Sequence, residues 1–140
     1  MPRKAVGTQR SELIALRITP KMRFGLELLA RRQHRTITDM AIFAIQGLFE
    51  QFFLHMQGEE VINELDRIWS PHEHVRLVRT ALYGPEYLTD EERELWQAIK
   101  ETRGFWKAGA LPSRPTPDHF DFGALKERWK ELKKRVSAGI

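Results

Sequence analysis

Basic side chains concentrate at the front of this chain, where they could bind an anionic polymer. Residues 1–35 contain nine Lys or Arg and two acidic residues, a net charge of +7, whereas all 140 residues together carry +4. The nine are Arg3, Lys4, Arg10, Arg17, Lys21, Arg23, Arg31, Arg32 and Arg35. Such an asymmetry is typical of a polyanion-binding protein, although a solvated basic surface has the same composition.

The other polar clusters match no catalytic or metal-binding pattern. The sequence has no Gly-rich phosphate loop, no His-Glu-x-x-His and no nucleophile motif, so we expect no enzymatic activity. In His72-Glu73-His74, two helical histidines at i and i+2 point in different directions, and no third ligand is evident. The acidic residues Asp90, Glu91, Glu92 and Glu94 are expected to complement a helix dipole. We therefore expect no metal and no cofactor.

The composition favours a soluble protein with one medium domain, or one small domain and an appendage. Hydrophobic residues make up 41% of the chain, which is enough for a core. No apolar run reaches the roughly 18 residues of a membrane span, and no apolar stretch follows the N-terminal Met-Pro-Arg-Lys as in a signal peptide. There is no cysteine, which excludes disulfides and fits a reducing compartment. We expect a cytoplasmic, nucleoid-associated protein that does not bind membranes.

Residues 12–19 alternate in the manner of a β-strand. Ile14, Leu16 and Ile18 fall on one aliphatic face, and Leu13, Ala15, Arg17 and Thr19 fall on the other. The sequence offers no second strand, and a lone ribbon of this length leaves both edges open. We therefore expect the strand to pair with the same strand of a second copy, which predicts a homodimer.

Two helices are predicted after this strand. Helix A runs from about Pro20 to Arg32, with Thr19 as its N-cap and an apolar stripe at helical spacing. Helix B runs from about Ile37 to His55 or beyond, starts at a capping box of Thr36 and Asp39, and contains no Lys or Arg. Because helix B is apolar on most sides, we expect it to be buried in an intertwined dimer.

The order strand, Pro, helix A, Arg-Thr-Ile-Thr-Asp, helix B resembles the ribbon–helix–helix family of Arc-type and methionine-type repressors, over about residues 11–53. The resemblance implies that paired strands enter the DNA major groove and that Leu13, Ala15 and Arg17 face the bases. It also implies a phosphate clamp at the start of helix B, formed by the backbone N–H groups of Thr36, Ile37 and Thr38. Further phosphate contacts are expected from Arg3, Lys4, Arg10, Thr19, Lys21 and Arg23.

Arg17 is the expected source of direct base readout. Leu13 and Ala15 cannot form hydrogen bonds with a base, so they can only contact thymine methyl groups or shape the fit. The guanidinium of Arg17 would favour guanine O6 and N7, although a phosphate contact or a plain surface charge remains the alternative.

The second half of the chain predicts a helical region. We expect helices at Glu59–Trp69, from Ser70 to Gly84 with Ser70 as N-cap and Pro71 at N1, from Thr89, and at Leu125–Val136. Residues 107–119, with three prolines, are expected to be a linker or an extended arm. The last helix, rich in Lys and Arg, is expected to dock through Trp129 on the domain, with a partner subunit or DNA phosphates as alternatives.

The sequence thus predicts a mostly α protein in four parts. These are a flexible basic arm at 1–10, a ribbon–helix–helix domain at 11–57 that forms an intermolecular two-stranded β-ribbon, a helical domain at 58–106, and a linker with a C-terminal helix at 107–140. The expected function is a dimeric, sequence-selective regulator of transcription, acting as a repressor on double-stranded DNA, with two or more dimers side by side. The alternatives are an antitoxin and a plasmid or phage DNA-processing accessory protein. In both of these, residues 58–140 would bind a protein partner.

Overall fold

The computed structural model of this chain describes residues 11–107, 109 and 111–139, and within them it is mostly helical. The chain divides between Leu48 and Phe49 into two compact units, here called the N-terminal unit and the C-terminal unit. The helices are α1 (Pro20–Gln33), α2 (Ile37–Phe53), α3 (Glu64–Ile68), α4 (Glu73–Tyr83), α5 (Asp90–Glu101) and α6 (Phe122–Ser137). The strands are β1 (Leu54–Gln57) and β2 (Glu60–Asn63). No helix in these described ranges has both the length and the apolar character needed to span a bilayer.

Helix α1 begins where the sequence predicts it. The side chain of Thr19 accepts a hydrogen bond from the backbone N–H of Met22 at 3.2 Å, and Pro20 occupies the first helical position. Proline is suited to that position because its fixed φ is helical and its missing N–H would have no helical acceptor there. The predicted helix A is therefore confirmed, with its end at Gln33.

The turn between α1 and α2 is closed by backbone hydrogen bonds. His34 adopts a left-handed conformation with φ of 53°. Its N–H donates to the carbonyl of Arg31 at 3.3 Å, and the N–H of Arg35 donates to that of Ala30 at 2.9 Å. This pair of bonds is a Schellman motif, which satisfies the last carbonyls of α1 and ends the helix sharply.

Helix α2 starts at the predicted capping box. The N–H of Asp39 donates to Thr36 Oγ1 at 3.0 Å, and the N–H of Thr36 donates to Asp39 Oδ2 at 3.4 Å. Aspartate can therefore take the part that glutamate or glutamine usually has in this motif. The start of helix B is confirmed, and its end at Phe53 comes slightly earlier than predicted.

Residues 11–19 have no regular secondary structure in the single chain. The sheet among the described residues is the β1–β2 hairpin, so both strands follow the two helices instead of preceding them. The predicted order of strand, helix and helix is thus not confirmed. A strand needs a partner for its backbone groups, and a single copy supplies none to this segment.

Residues 54–63 form a β-hairpin, and the prediction of a helix from Glu59 was wrong. Met56 pairs with Val61 and Gln57 with Glu60, which leaves a two-residue loop of Gly58 and Glu59. Gly58 has φ of +66° and Glu59 does not have a positive φ, as in a type II′ turn with glycine first. Gly58 therefore acts as a reversal point for a hairpin instead of a break between two helices.

Helix α3 is a short remnant of that predicted helix. It is capped by Asn63, whose side chain accepts from the backbone N–H groups of Leu65 and Asp66. The predicted N-cap of the next helix was also wrong. Ser70 Oγ accepts from His72 N–H at 3.2 Å, which forms a local turn, and α4 begins only at Glu73.

Helices α4, α5 and α6 surround the core of the C-terminal unit. Helix α4 ends at the predicted Gly84, and α5 starts at the predicted Thr89 with a capping box to Glu92. The buried side chains of this core are Leu77, Val78, Ala81, Leu88, Leu95, Ile99, Phe105, Phe120, Leu125, Trp129 and Leu132. The last three come from α6, so this helix belongs to the same core as α4 and α5, whereas the sequence predicted separate parts at 58–106 and 107–140.

The segment between α5 and α6 starts and ends at the same place. Trp106 and Phe120 form an isolated antiparallel bridge, the N–H of Lys107 donates to the carbonyl of His119 at 2.9 Å, and that of Asp121 donates to the carbonyl of Phe105 at 2.8 Å. The predicted linker is therefore a closed loop whose two ends are hydrogen-bonded together.

Candidate nucleic-acid interface

The base-reading residues predicted from the sequence lie in an exposed segment. Leu13, Ala15 and Arg17 are all exposed, and Leu13 retains 95% of its accessible surface. The predicted core-facing side chains Ile14 and Leu16 are 73% exposed as well. A run of aliphatic side chains left in water on both faces is unfavourable, so this segment has apolar surface available for a partner.

The predicted phosphate contacts of α1 are available to different degrees. The hydroxyl oxygen of Thr19 already accepts the N–H of Met22, so its main role is to cap the helix. Lys21 is exposed. Arg23 Nε lies 3.4 Å from Glu27 Oε1, an exposed ion pair that a phosphate could replace at small cost. Arg3, Lys4 and Arg10 lie outside the described residues.

The start of α2 offers two backbone donors for an anion. The N–H of Thr36 is directed at the carboxylate of Asp39, whereas the N–H groups of Ile37 and Thr38 have no acceptor among the described residues. Free N–H groups and the helix dipole both favour a negative group at this position. Of the three predicted donors, the geometry therefore leaves two available.

The cations beside this helix start were not among the phosphate contacts predicted from the sequence. A depression of about 560 Å³ next to α2 is lined by Glu27, Ala30, Arg31, His34, Arg35, Thr36 and Ile37. Its basic members come from the end of α1 and from the Schellman turn. The run Arg31-Arg32-Gln33-His34-Arg35 is the signal that could have found them, because a basic turn before a polar helix start gathers cations around free N–H groups.

The N-terminal unit has almost no core of its own. In its described part, the buried apolar residues are Ala30 and Met40. The large apolar side chains left exposed are Leu13, Ile14, Leu16, Ile18, Met22, Phe24, Leu28, Leu29, Ile42, Phe43, Ile45 and Leu48. Between α1 and α2 they border an apolar groove of about 400 Å³ that includes Leu26, Leu29, Met40 and Phe43.

The histidine cluster of the C-terminal unit is built into packing. Glu73 accepts hydrogen bonds from Lys133 Nζ at 2.8 Å and Trp129 Nε1 at 3.2 Å, and the bond from Lys133 is the main reason that the pKa of Glu73 is lowered. His74 is buried, with ring centroids 6.3 Å from Phe122 and 6.2 Å from Trp129. Burial lowers the pKa of His74, and the nearby His72 and Lys126 add to that effect.

Among residues 11–107, 109 and 111–139, no group of three or more His, Asp or Glu side chains is placed to hold a metal ion. The carboxylate of Glu73 is engaged with α6, which leaves the two histidines without a free carboxylate partner between them.

Comparisons with protein-family models, with curated proteins and with solved structures gave no match to this chain.

Proposed function

We propose that this chain is a homodimeric, sequence-selective DNA-binding regulator of transcription that acts as a repressor. In the proposed dimer, residues 12–18 of two copies pair as an antiparallel ribbon, and the outer face of that ribbon enters the major groove. Leu13, Ala15 and Arg17 then face the bases, and the start of α2 faces the phosphate backbone.

The observation that carries this proposal is the uncovered apolar surface of the N-terminal unit. Helices α1 and α2 begin at the predicted N-terminal caps, yet the described part of this unit buries little apolar surface besides Ala30 and Met40. A unit this small cannot offset its conformational entropy with so little buried surface. A second copy would cover the exposed stripe of α2 and the Ile14, Leu16 and Ile18 face of the ribbon.

Pairing would also place the aliphatic and the mixed faces of residues 12–18 in different environments. The aliphatic face would turn to the helices, and the mixed face that carries Arg17 would stay in water, because successive side chains of a strand alternate. The cations Arg31, His34 and Arg35 near the free N–H groups of α2 support phosphate binding at a second place in the same unit.

Binding to selected DNA tests the role of Arg17. Sequences that bind the full-length protein are selected from a random duplex library. Binding of the preferred duplex by wild type and by Arg17→Ala is then measured over a series of salt concentrations. We expect Arg17→Ala to lose roughly 1–3 kcal/mol of binding free energy and to lose discrimination at one guanine.

A matched control separates this effect from simple charge loss. Arg114→Ala removes the same charge from an exposed position in the C-terminal unit and should leave affinity and sequence preference unchanged. Loss of affinity to an equal extent for all sequences would make Arg17 a phosphate contact. Failure of the library to yield any preferred sequence would contradict sequence-selective binding.

A further inference from the structure

Helix α4 has a partly exposed, arginine-rich face on which Arg76 and Arg79 are half-buried. Arg76, Arg79 and Tyr83 stand at i, i+3 and i+7 and share one side of the helix. The opposite side carries the buried residues of α4: His74, Leu77, Val78 and Ala81. The face is extended by Trp69, which is 45% exposed, while Tyr83 is 39% exposed.

The arginines of this face are held in place. The guanidinium of Arg76 lies 5.4 Å from the ring centroid of Trp69 and donates to the carbonyl of Ser70 at 2.9 Å. Arg79 donates to the carbonyl of Trp69 at 2.6 Å. Arg67 lies 5.7 Å from the ring centroid of Tyr83. Cations fixed against half-exposed aromatic rings lose little conformational entropy when a partner binds.

None of these arginines forms an ion pair with a carboxylate among the described residues, although Arg76 is near enough to contribute to the lowered pKa of Glu73. The ion pairs found there join Arg23 to Glu27, Arg93 to Asp90 and Lys133 to Glu73. Asp66 and Asp118 line a depression beside Arg67 and Arg79, but neither forms an ion pair with them. Tryptophan, tyrosine and arginine are also the residue types that dominate the binding energy of protein–protein interfaces.

The same unit carries a complementary acidic surface on α5. Asp90, Glu91 and Glu94 are exposed in the first turns of this helix. Asp90 forms an ion pair with Arg93, and Glu91 accepts a hydrogen bond from Ser137 Oγ of α6 at 2.9 Å, which leaves its charge unpaired. Glu92 is engaged in the capping box with Thr89. Both surfaces stand on helices packed into one core, so each presents its charges in a fixed arrangement.

We propose that the α4 face of one copy binds the acidic start of α5 of a second copy. A single such contact is proposed between two copies, which makes the interface heterologous and leaves one of each surface free for a further copy. The contact itself does not depend on DNA. Its use, which is to join neighbouring dimers on adjacent sites, rests on the proposed function.

A polynucleotide is the less favoured occupant of the α4 face. Residues 49–140 carry fourteen Lys or Arg and sixteen acidic residues, so the unit as a whole repels a polyanion.

Sedimentation velocity of the full-length protein without DNA tests the contact by charge exchange. The variants are Arg76→Glu with Arg79→Glu, and Glu91→Arg with Glu94→Arg. The matched control is Lys130→Glu with Lys134→Glu, which makes the same charge change on exposed residues of α6. Circular dichroism melts confirm that each variant is folded.

We expect wild type to form species larger than the proposed homodimer. These species should dissociate as the salt concentration is raised, because salt screens the charges of the contact. Each interface variant should weaken this assembly by about tenfold or more, the control should not, and an equimolar mixture of the two interface variants should restore it. The α5 variant tests the contact without disturbing the hydrogen bonds of Arg76 and Arg79, so a loss of stability in the α4 variant would not decide the result.

Three outcomes would overturn the proposal. They are assembly that is unaffected by either variant, loss without restoration in the mixture, and an α4 variant that leaves assembly intact while it weakens binding of a polythymidine oligonucleotide. The last outcome would assign the face to nucleic acid. None of these readings depends on Arg17, so failure of base readout would be seen separately.

Discussion

At the scale of single residues, the clearest coupling joins α4 to α6 through Glu73 and His74. Glu73 is partly exposed, and its bonds to Lys133 and Trp129 are therefore screened by water and worth no more than about 1 kcal/mol. His74 is enclosed by the rings of Phe122 and Trp129, so its charged form is disfavoured in the folded state.

Acid should weaken the C-terminal unit through these two residues. The pKa of His74 is lowered from 6.5, so the unfolded chain takes up its proton first, and stability present above pH 6.5 is lost as the pH falls below that value. The pKa of Glu73 is lowered from 4.5, so its contribution is lost at still lower pH. The groups around His74 that set this response are His72, Lys126 and Glu73.

Thermal melts over a pH series measure this response. We expect wild type to lose stability between about pH 7 and pH 5, and His74→Leu to lose much less over that interval because no imidazole has to be charged. Glu73→Gln should keep the His74 response and flatten the curve at lower pH. If the melting temperatures of wild type and His74→Leu fall equally with pH, burial of this histidine does not link folding to proton uptake.

At the scale of elements, four helix boundaries were predictable, whereas the start of α4 and the hairpin were not. Thr19, Thr36, Thr89 and Gly84 mark helix boundaries through local hydrogen bonds or backbone freedom, which the sequence displays directly. The hairpin at 54–63 was missed because Val61, Ile62 and later apolar residues also fit a helical period. Whether these residues form a strand or a helix is decided by backbone pairing across the Gly58 turn, which the apolar pattern does not reveal.

The Schellman turn gives a prediction at this scale. His34 is the one described non-glycine residue with a positive φ, a conformation that costs a residue with a Cβ about 1–2 kcal/mol. His34→Gly should therefore raise the stability of the α1–α2 pair by up to about 1 kcal/mol, after its greater entropy in the unfolded chain is subtracted.

The β-branched variant His34→Val is the opposite control, and it should lower stability by about 1 kcal/mol or more because valine is strained at positive φ. Urea unfolding at one fixed protein concentration measures both changes. A destabilised His34→Gly with an unaffected His34→Val would mean that the imidazole itself, and not the backbone, holds this turn.

At the scale of the whole molecule, the sequence predicted a helical protein and the docking of α6 through Trp129 on the C-terminal unit. It did not predict where the chain divides, because the boundary at Leu48 lies inside a continuous helix with no Gly- or Pro-rich break. The cations around the start of α2 were also missed, since their convergence depends on the turn at His34.

The proposed dimer can be tested on α2. Ile45 is exposed on the apolar stripe of this helix, and its neighbour Gln46 is exposed and polar. We expect wild type to sediment as a dimer with a melting temperature that rises with concentration, and Ile45→Glu to lose both properties because a charge cannot be buried without a partner.

The control Gln46→Glu adds the same charge one position along and should keep the dimer. Two results would contradict the proposal that a second copy covers the apolar face of α2. They are a wild-type chain that remains monomeric at all concentrations and an Ile45→Glu variant that associates as wild type does.

The hydrogen-bonded neck of the loop at 107–119 has a consequence for how this chain can vary. Because Trp106 and Phe120 already fix both stems, material spliced between the exposed Ser113 and Arg114 would leave the anchoring of α6 intact. Doubling the length of such a loop adds only about 0.6 kcal/mol of closure entropy. This position is therefore open to evolutionary lengthening, and a reporter peptide could be placed there for work on the intact molecule.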